Sequence, residues 1–378
     1  MSVPLLDLTA QYRTIQDQVD DAVRQVVQSQ RFILGAAVEE LEASVARRVG
    51  TRHAVGCASG TDALLLGLKA LQLEPGDQVI IPSFTFFATA GAVWNAGLRP
   101  VFCDIDPVSF NITAATVEPL LTDRTRALIP VHLFGQMAPM EELMELARRH
   151  GLAVIEDAAQ SIDAAQDMGG QDRRAGSVGT MGAFSFFPSK NLGGFGDGGM
   201  ITTDDDELAD RLFKLRVHGG RQMYHHEMVG TNSRLDALQA AVLSAKLPQL
   251  DRWTEARRHN AAAYDRDLAG VPGITTPVEE AGNRHVYNQY TIRCHRRDEL
   301  KKHLDQAGIG NAIYYPVPLH LQPCFSELGG REGDLPVTEQ AAREVLSIPV
   351  FPELTEAQRD QVGDQVVRGL QEASPPGR

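Results

Sequence analysis

The chain has no excess of positive charge: 36 Lys and Arg stand against 49 Asp and Glu, a formal net charge of −13. That balance disfavours nucleic acid as a partner, which needs a basic footprint. It leaves room for a small anion held by a few local arginines. No uninterrupted apolar run reaches the roughly 20 residues needed to cross a bilayer, so no membrane partner is expected. The opening residues, Met1-Ser-Val-Pro-Leu-Leu-Asp-Leu8, lack a basic segment followed by an apolar core. No secretory leader is predicted, and the cytoplasm is the expected location. Cysteine is scarce. Cys57, Cys103, Cys294 and Cys324 are scattered with no C-x-x-C pair, and they read as reduced, mostly buried thiols. Internal repeats and low-complexity tracts are also lacking.

Several nucleotide and metal motifs fail. Gly194-Phe-Gly196-Asp-Gly-Gly199 formally matches the dinucleotide fingerprint, but Met200-Ile-Thr-Thr203 reads as a strand where the fingerprint requires a helix. His225-His226-Glu227 misses the zinc-helix pattern because position 230 is glycine, so no metal site is expected. There is no P-loop and no serine elbow between glycines.

At 378 residues with 43% hydrophobic residues, the chain has material for a large domain and a smaller one. Ile15, Val19, Val23 and Val26 share one helical face. From about residue 55 apolar strand runs alternate with helical stretches. The strands are Ala54–Cys57, Val79–Pro82, Arg99–Asp104, Ala127–His132, Ala153–Asp157, Ala183–Phe187 and Met200–Thr203. The helical patterns are Asp62–Leu73, Ala88–Asn95, Met140–His150 and Asp205–Val217. This alternation predicts an α/β domain with a mostly parallel seven-stranded sheet flanked by helices. Ligands of such sheets bind beyond the carboxyl ends of the strands. Helical patterns over Leu235–Leu247 and Gln249–Leu268 follow, and after Gly270-Val-Pro-Gly273 the character changes. A strand at Tyr290–Cys294 and a helix at Asp298–Ala307 suggest a small C-terminal α+β domain. The division expected is 1–250 for the large domain and 251–378 for the small one, ending in a disordered Ala373-Ser-Pro-Pro-Gly-Arg378.

Four segments carry chemistry. Lys190 lies where an apolar strand breaks at Pro188 into a glycine-rich turn. A lysine held among aromatic side chains loses charge cheaply and becomes a nucleophile towards carbonyls; the bland alternative is a surface lysine after a strand. Ser59-Gly60-Thr61-Asp62 opens a helix after a strand and could hold a phosphate on free N–H groups, or simply cap the helix. Asp62 suits the helix dipole but would repel a phosphate and is not assigned to the ligand. Glu156-Asp157 ends an apolar strand. Because adjacent strand residues face opposite sides, only one of the two can face a site, where it could keep a pyridine nitrogen protonated; a salt-bridged strand end is the alternative. Phe84, Phe86 and Phe87 follow another strand, and one of them could stack on a planar ring, though core packing explains such residues too. The order of these parts is more telling than any one of them.

Ser59-Gly-Thr-Asp-Ala63, Pro82-Ser-Phe-Thr-Phe86, Glu156-Asp-Ala-Ala-Gln-Ser161, Ser185-Phe-Phe-Pro-Ser-Lys190, Asn232-Ser-Arg-Leu-Asp236 and Tyr315-Pro-Val-Pro-Leu-His320 together resemble the pyridoxal-phosphate-dependent nucleotide-sugar aminotransferases. These form the DegT/DnrJ/StrS group of the aspartate-aminotransferase-like, type I fold. The resemblance implies that Lys190 binds pyridoxal 5′-phosphate covalently and shuttles the proton, and that Asp157 pairs with the ring nitrogen. It implies that Gln160 contacts the ring's 3′-oxygen, that Phe86 stacks on the ring, and that Gly60, Thr61 and Ser185 hold the phosphate. Asn232 would reach the phosphate in the neighbouring subunit, which implies a homodimer with shared sites. Arg234, Tyr315 and His320 are implied for the sugar-nucleotide pocket.

Lysine rather than histidine at position 190 favours transamination from L-glutamate over the dehydration run by some members. Tyr224-His-His226 and Val286-Tyr-Asn-Gln-Tyr290 look most like the branch acting on UDP-linked 3-keto sugars, including UDP-2-acetamido-3-keto-glucuronate. The rival expectations are a dehydratase or epimerase on the same cofactor, and a non-catalytic regulator that keeps the fold.

Overall fold

The structure, a computed structural model, describes residues 2–372; the tail expected to be disordered, 373–378, lies outside the described residues. Strands β1 (His53–Cys57), β2 (Gln78–Pro82), β3 (Arg99–Cys103), β4 (Thr125–Leu128) and β5 (Ala153–Asp157) come first. A small hairpin, β6 (Ala165–Asp167) and β7 (Asp172–Arg174), precedes β8 (Met181–Ser185) and β9 (Gly199–Thr203). Seven of these form one sheet in the order β1-β9-β8-β5-β4-β2-β3. β3, β2, β4, β5 and β8 are joined in parallel, and β9 is antiparallel to both its neighbours.

The reason for the exception is the connection. Parallel neighbours need a crossover, usually helical. Between β8 and β9 the chain makes only a glycine-rich loop, so β9 returns alongside β8. That loop carries Lys190.

Strand parity puts a core on each face of the sheet. Val79 and Ile81 of β2 join one apolar cluster and Ile80 the other. Val154 and Ile155, Ala183 and Phe184, and Met200 and Ile201 split the same way, as a side-chain period of two requires. One face is covered by helices Ala36–Val49, Met140–His150 and Ala237–Lys246, the other by Gly60–Ala70, Phe87–Asn95 and Asp206–Arg216. Helix Ala36–Val49 has no counterpart among the sequence expectations, although Val38, Leu41, Val45 and Val49, all buried, recur at helical spacing.

A further three-stranded sheet, β10 (Ile274–Thr275), β12 (Tyr290–Cys294) and β13 (Val345–Ile348), packs with helices Arg297–Gln306 and Glu356–Glu372 over a third core. The short β11 (Asn283–Arg284) extends the β6–β7 hairpin. Helix Leu250–Asp267 links the regions: Leu250 belongs to a core of the large sheet, while Ala261 and Tyr264 belong to the third.

Candidate active site

The carboxyl ends of β1, β2, β5 and β8 converge on a cavity of about 440 Å³, lined among others by Gly60, Thr61, Phe86, Asp157, Ser185 and Lys190. The parallel sheet accounts for its position, since the loops leaving those ends meet at one edge.

At the end of β1, Ser59 caps helix Gly60–Ala70, its Oγ accepting from the Asp62 N–H at 3.1 Å. The capping reading is therefore correct for Ser59. It coexists with the other, because the first N–H groups of a helix have no intrahelical acceptor and Gly60 and Thr61 line the cavity. Glycine is needed at position 60 by close approach: a Cβ there would stand 2.6 Å from Ser185 Cβ and 3.0 Å from Ser185 Oγ. Ser185 thus faces the helix start from the next strand but one. Asp62 does not line the cavity; its carboxylate accepts from Ser233 Oγ at 2.6 Å.

The two acids ending β5 divide as parity requires. Glu156 points away from the cavity and accepts from His132 Nε2 at 2.8 Å and from the Gly176, Val178 and Gly179 N–H groups. Against the opposing pull of burial, these bonds hold its carboxyl below the usual range. Asp157 lines the cavity, its Oδ2 accepting from Thr89 Oγ1 at 2.8 Å and its Oδ1 from the Ala159 N–H at 3.3 Å. Burial pushes its carboxyl up, while the Thr89 hydrogen bond and the Lys190 charge work the other way.

Lys190 sits in a turn closed by its own N–H donating to Phe187 O at 2.9 Å. Burial lowers its amine to about 8, against the opposing attraction of Asp157. No described residue hydrogen-bonds or ion-pairs with its Nζ. The result is a desolvated amine facing a buried carboxylate across an open cavity.

Gln160 is buried, its Oε1 accepting from the Phe134 N–H at 2.7 Å and its Nε2 donating to Tyr315 OH at 3.1 Å. Tyr315 therefore lines this same cavity, beside Phe86, whose ring centroid is 6.2 Å away. Phe86 is 59% exposed, whereas Phe84 is fully buried and Phe87 stacks on Phe325. Of the three aromatics, only Phe86 is free to cover a ligand ring.

Three expected residues are not brought here. His320 is buried, with its Nδ1 2.8 Å from Ser83 Oγ and its Nε2 3.3 Å from Glu339 Oε1, and it does not line the cavity. It ties the segment after Tyr315 to the end of β2. Arg234 lines a separate surface groove beside Tyr224 and Val229. Asn232 is exposed and outside the cavity of its own chain. Conversely, Thr89, Tyr314 and Gln289 belong to the site and were not expected. Thr89 enters through its hydrogen bond to Asp157, and Tyr314 and Gln289 by lining the cavity; no local pattern in the sequence marks any of the three.

An N–H cradle with a hydroxyl, an exposed aromatic face, a buried carboxylate and an unpartnered amine can hold an aromatic phosphate ester. The carboxylate matches a basic ring nitrogen and the amine matches an aldehyde. Residues 13–367 match the profile of the DegT/DnrJ/EryC1/StrS aminotransferase family. A protein of Geobacillus stearothermophilus called pleiotropic regulatory protein is 51% identical, the alignment covering 97% of this chain and 98% of that protein. The UDP-N-acetyl-3-dehydro-alpha-D-glucosamine 3-aminotransferase of Acidithiobacillus ferrooxidans is 46% identical, with 98% of each chain covered. Among solved structures, Streptomyces venezuelae DesV in complex with a ketimine intermediate superposes with a TM-score of 0.94, at 47% identity, covering 97% of this chain and 98% of that one.

Proposed function

The chain belongs to the DegT/DnrJ/EryC1/StrS family of pyridoxal-phosphate-dependent sugar aminotransferases, and we propose that it moves an amino group from L-glutamate to a UDP- or dTDP-linked 3-keto hexose. UDP-2-acetamido-3-keto-glucuronate is one such acceptor, in amino-sugar biosynthesis for a surface polysaccharide or other glycoconjugate. The observation that carries the reading is the Lys190 amine, lowered to about 8 by burial and open to a cavity that also holds Asp157 and the Gly60–Thr61 helix start.

The cavity fits the cofactor. Gly60 and Thr61 N–H groups and Ser185 Oγ would hold its phosphate, Phe86 would cover one ring face, Gln160 and Tyr315 would meet the ring oxygen, and Asp157 would pair with the ring nitrogen. Bound there, pyridoxal phosphate supplies an electron sink for the charge left at the donor's α-carbon. Lys190 Nζ, as a free amine, would be placed to accept the proton lost from the donor's α-carbon and, in the second half-reaction, to donate one to the sugar carbon that gains the amine. A side chain with a pKa near 8 is suited to both directions. Asp157, fixed by Thr89, would set its carboxylate against the ring nitrogen, and the buried setting would strengthen that attraction. Asn232, exposed in its own chain, fits a homodimer in which it reaches the partner's phosphate. Four free cysteines are consistent with a cytoplasmic enzyme.

The name of the Geobacillus relative favours a second reading, a regulator that keeps the fold. A binding protein has no need of a desolvated, unpartnered amine opposite a buried acid. The two readings separate by product. Purified protein given L-glutamate and a panel of UDP- and dTDP-linked 3-keto and 4-keto sugars should form an amino sugar, followed by mass. Lys190→Ala should reduce this to background. Turnover that survives Lys190→Ala, or cofactor binding with no amino sugar from any acceptor, contradicts the proposal.

A further inference from the structure

Behind the active-site cavity lies a second, smaller one of about 90 Å³, lined by residues that include Arg257, Ser189, Gln289 and Tyr314. Ser189, Gln289 and Tyr314 line both cavities, so the small one is a recess of the large one, opening one residue from Lys190. Its floor carries an unusual charge. Arg257, on helix Leu250–Asp267, is 3% exposed. Its Nη1 donates to the carbonyls of Tyr287 and Asn288 at 3.2 and 3.4 Å, while its Nε is buried with no partner. No carboxylate among the described residues forms an ion pair with it. The Glu353 carboxylate attracts it from beyond ion-pair distance, so the buried charge is compensated only in part, and an unmade bond on a charged donor costs more than on a neutral one.

We propose that this recess is the subsite for a carboxylate of the amino donor, with Arg257 as its cationic anchor. The inference rests on the reading of an amino acid as donor. A carboxylate fills a space of this size and a pyranose ring does not. The donor's amine must reach the carbon that Lys190 serves, so its carboxylate must find a cation within a few bond lengths of that point. Arg257 offers the planar fork that matches a carboxylate. Gln289, whose side-chain oxygen is also buried without a partner, can turn its NH₂ towards the same anion.

The test uses the cofactor-loaded enzyme and follows cofactor absorbance in each half-reaction separately. In Arg257→Met the L-glutamate concentration giving half the maximal rate should rise by roughly tenfold to a hundredfold. Reaction with a carboxylate-free primary amine, n-butylamine, should be unchanged. The reverse half-reaction with a 3-keto sugar nucleotide should keep its half-saturation, whether or not the sugar carries a C6 carboxylate. Arg257→Lys, which keeps a donor for the Tyr287 and Asn288 carbonyls, should fall between, and it carries the test if the methionine variant does not fold. Unchanged glutamate saturation, or equal weakening for glutamate and butylamine, overturns the proposal. A loss confined to C6-carboxylate sugars also overturns it, assigning Arg257 to the acceptor. A wild-type protein unreactive towards every amino acid would instead contradict the proposed function itself.

Discussion

At the scale of single residues the account depends on protonation. Lys190 is lowered to about 8, chiefly by burial, whereas an ordinary lysine stays charged to about 10.4. Only the uncharged amine attacks an aldehyde, so covalent capture of pyridoxal phosphate by cofactor-free protein should quicken as pH rises and reach half its maximal rate near pH 8. A rate still climbing steeply above pH 9.5 would indicate an unshifted amine. Asp157 has the converse problem: burial raises its carboxyl, and Thr89 is the first group that opposes this. Position along the chain marked Asp157 and Lys190 because one ends a strand and the other lies in the turn that follows one. It could not mark Thr89, whose hydroxyl matters only through a contact spanning 68 residues. Nor did it separate His320 from Tyr315: both lie in one loop, but a turn sends one side chain to the cavity and the other to Ser83 and Glu339.

At the scale of elements, the site is a junction between the start of helix Gly60–Ala70 and the end of β8. The contact is close enough to exclude one methyl group. In Gly60→Ala, the new Cβ would meet Ser185 Cβ at 2.6 Å, forcing strand and helix apart and opening the phosphate cradle. Losing one hydrogen bond to a charged group costs about 1.5–3 kcal/mol, so the cofactor dissociation constant should rise by roughly tenfold or more while the circular dichroism spectrum is kept. Unaltered cofactor affinity would mean that the cradle lies elsewhere.

The loop bearing Lys190 is clamped from outside. Lys246 Nζ donates to Gly193 O at 2.7 Å, and Gln239 Oε1 accepts from the Phe195 N–H at the same distance. The strands and most helices were legible because apolar residues repeat at two or near 3.6 along them. Two features were not. The β6–β7 hairpin is made of strands too short to show a period, and β11 is held by pairing with the sequence-distant β6; β4 ends at Leu128 although its apolar run continues to Val131.

For the whole molecule, apolar side chains remain uncovered on one protruding segment: Met223, Tyr224 and Val229 are 85%, 91% and 89% exposed. They flank Arg234 in its groove and lie close in sequence to Asn232. Such a patch is the usual mark of an interface. We propose that a second copy covers it, and that the chain divides into a large domain over residues 1–250 and a small one over residues 251–378. Shared sites have a distinctive consequence. Lys190→Ala and Asn232→Ala, each inactive or weak alone, should regain up to roughly a quarter of wild-type activity when co-expressed and randomly paired, because one of two sites in a mixed dimer is then intact. No gain over the separate variants would refute the exchange of Asn232.

All of this requires one amine to hold the cofactor, and the chain offers a rival in Lys246, which is buried and likewise lowered to about 8. The most direct measurement is to load the protein with pyridoxal phosphate, reduce it with borohydride, digest it and find the modified lysine by mass spectrometry. The label should sit on Lys190 and on no other residue. Label on Lys246, or a protein that stays unlabelled, would contradict the account.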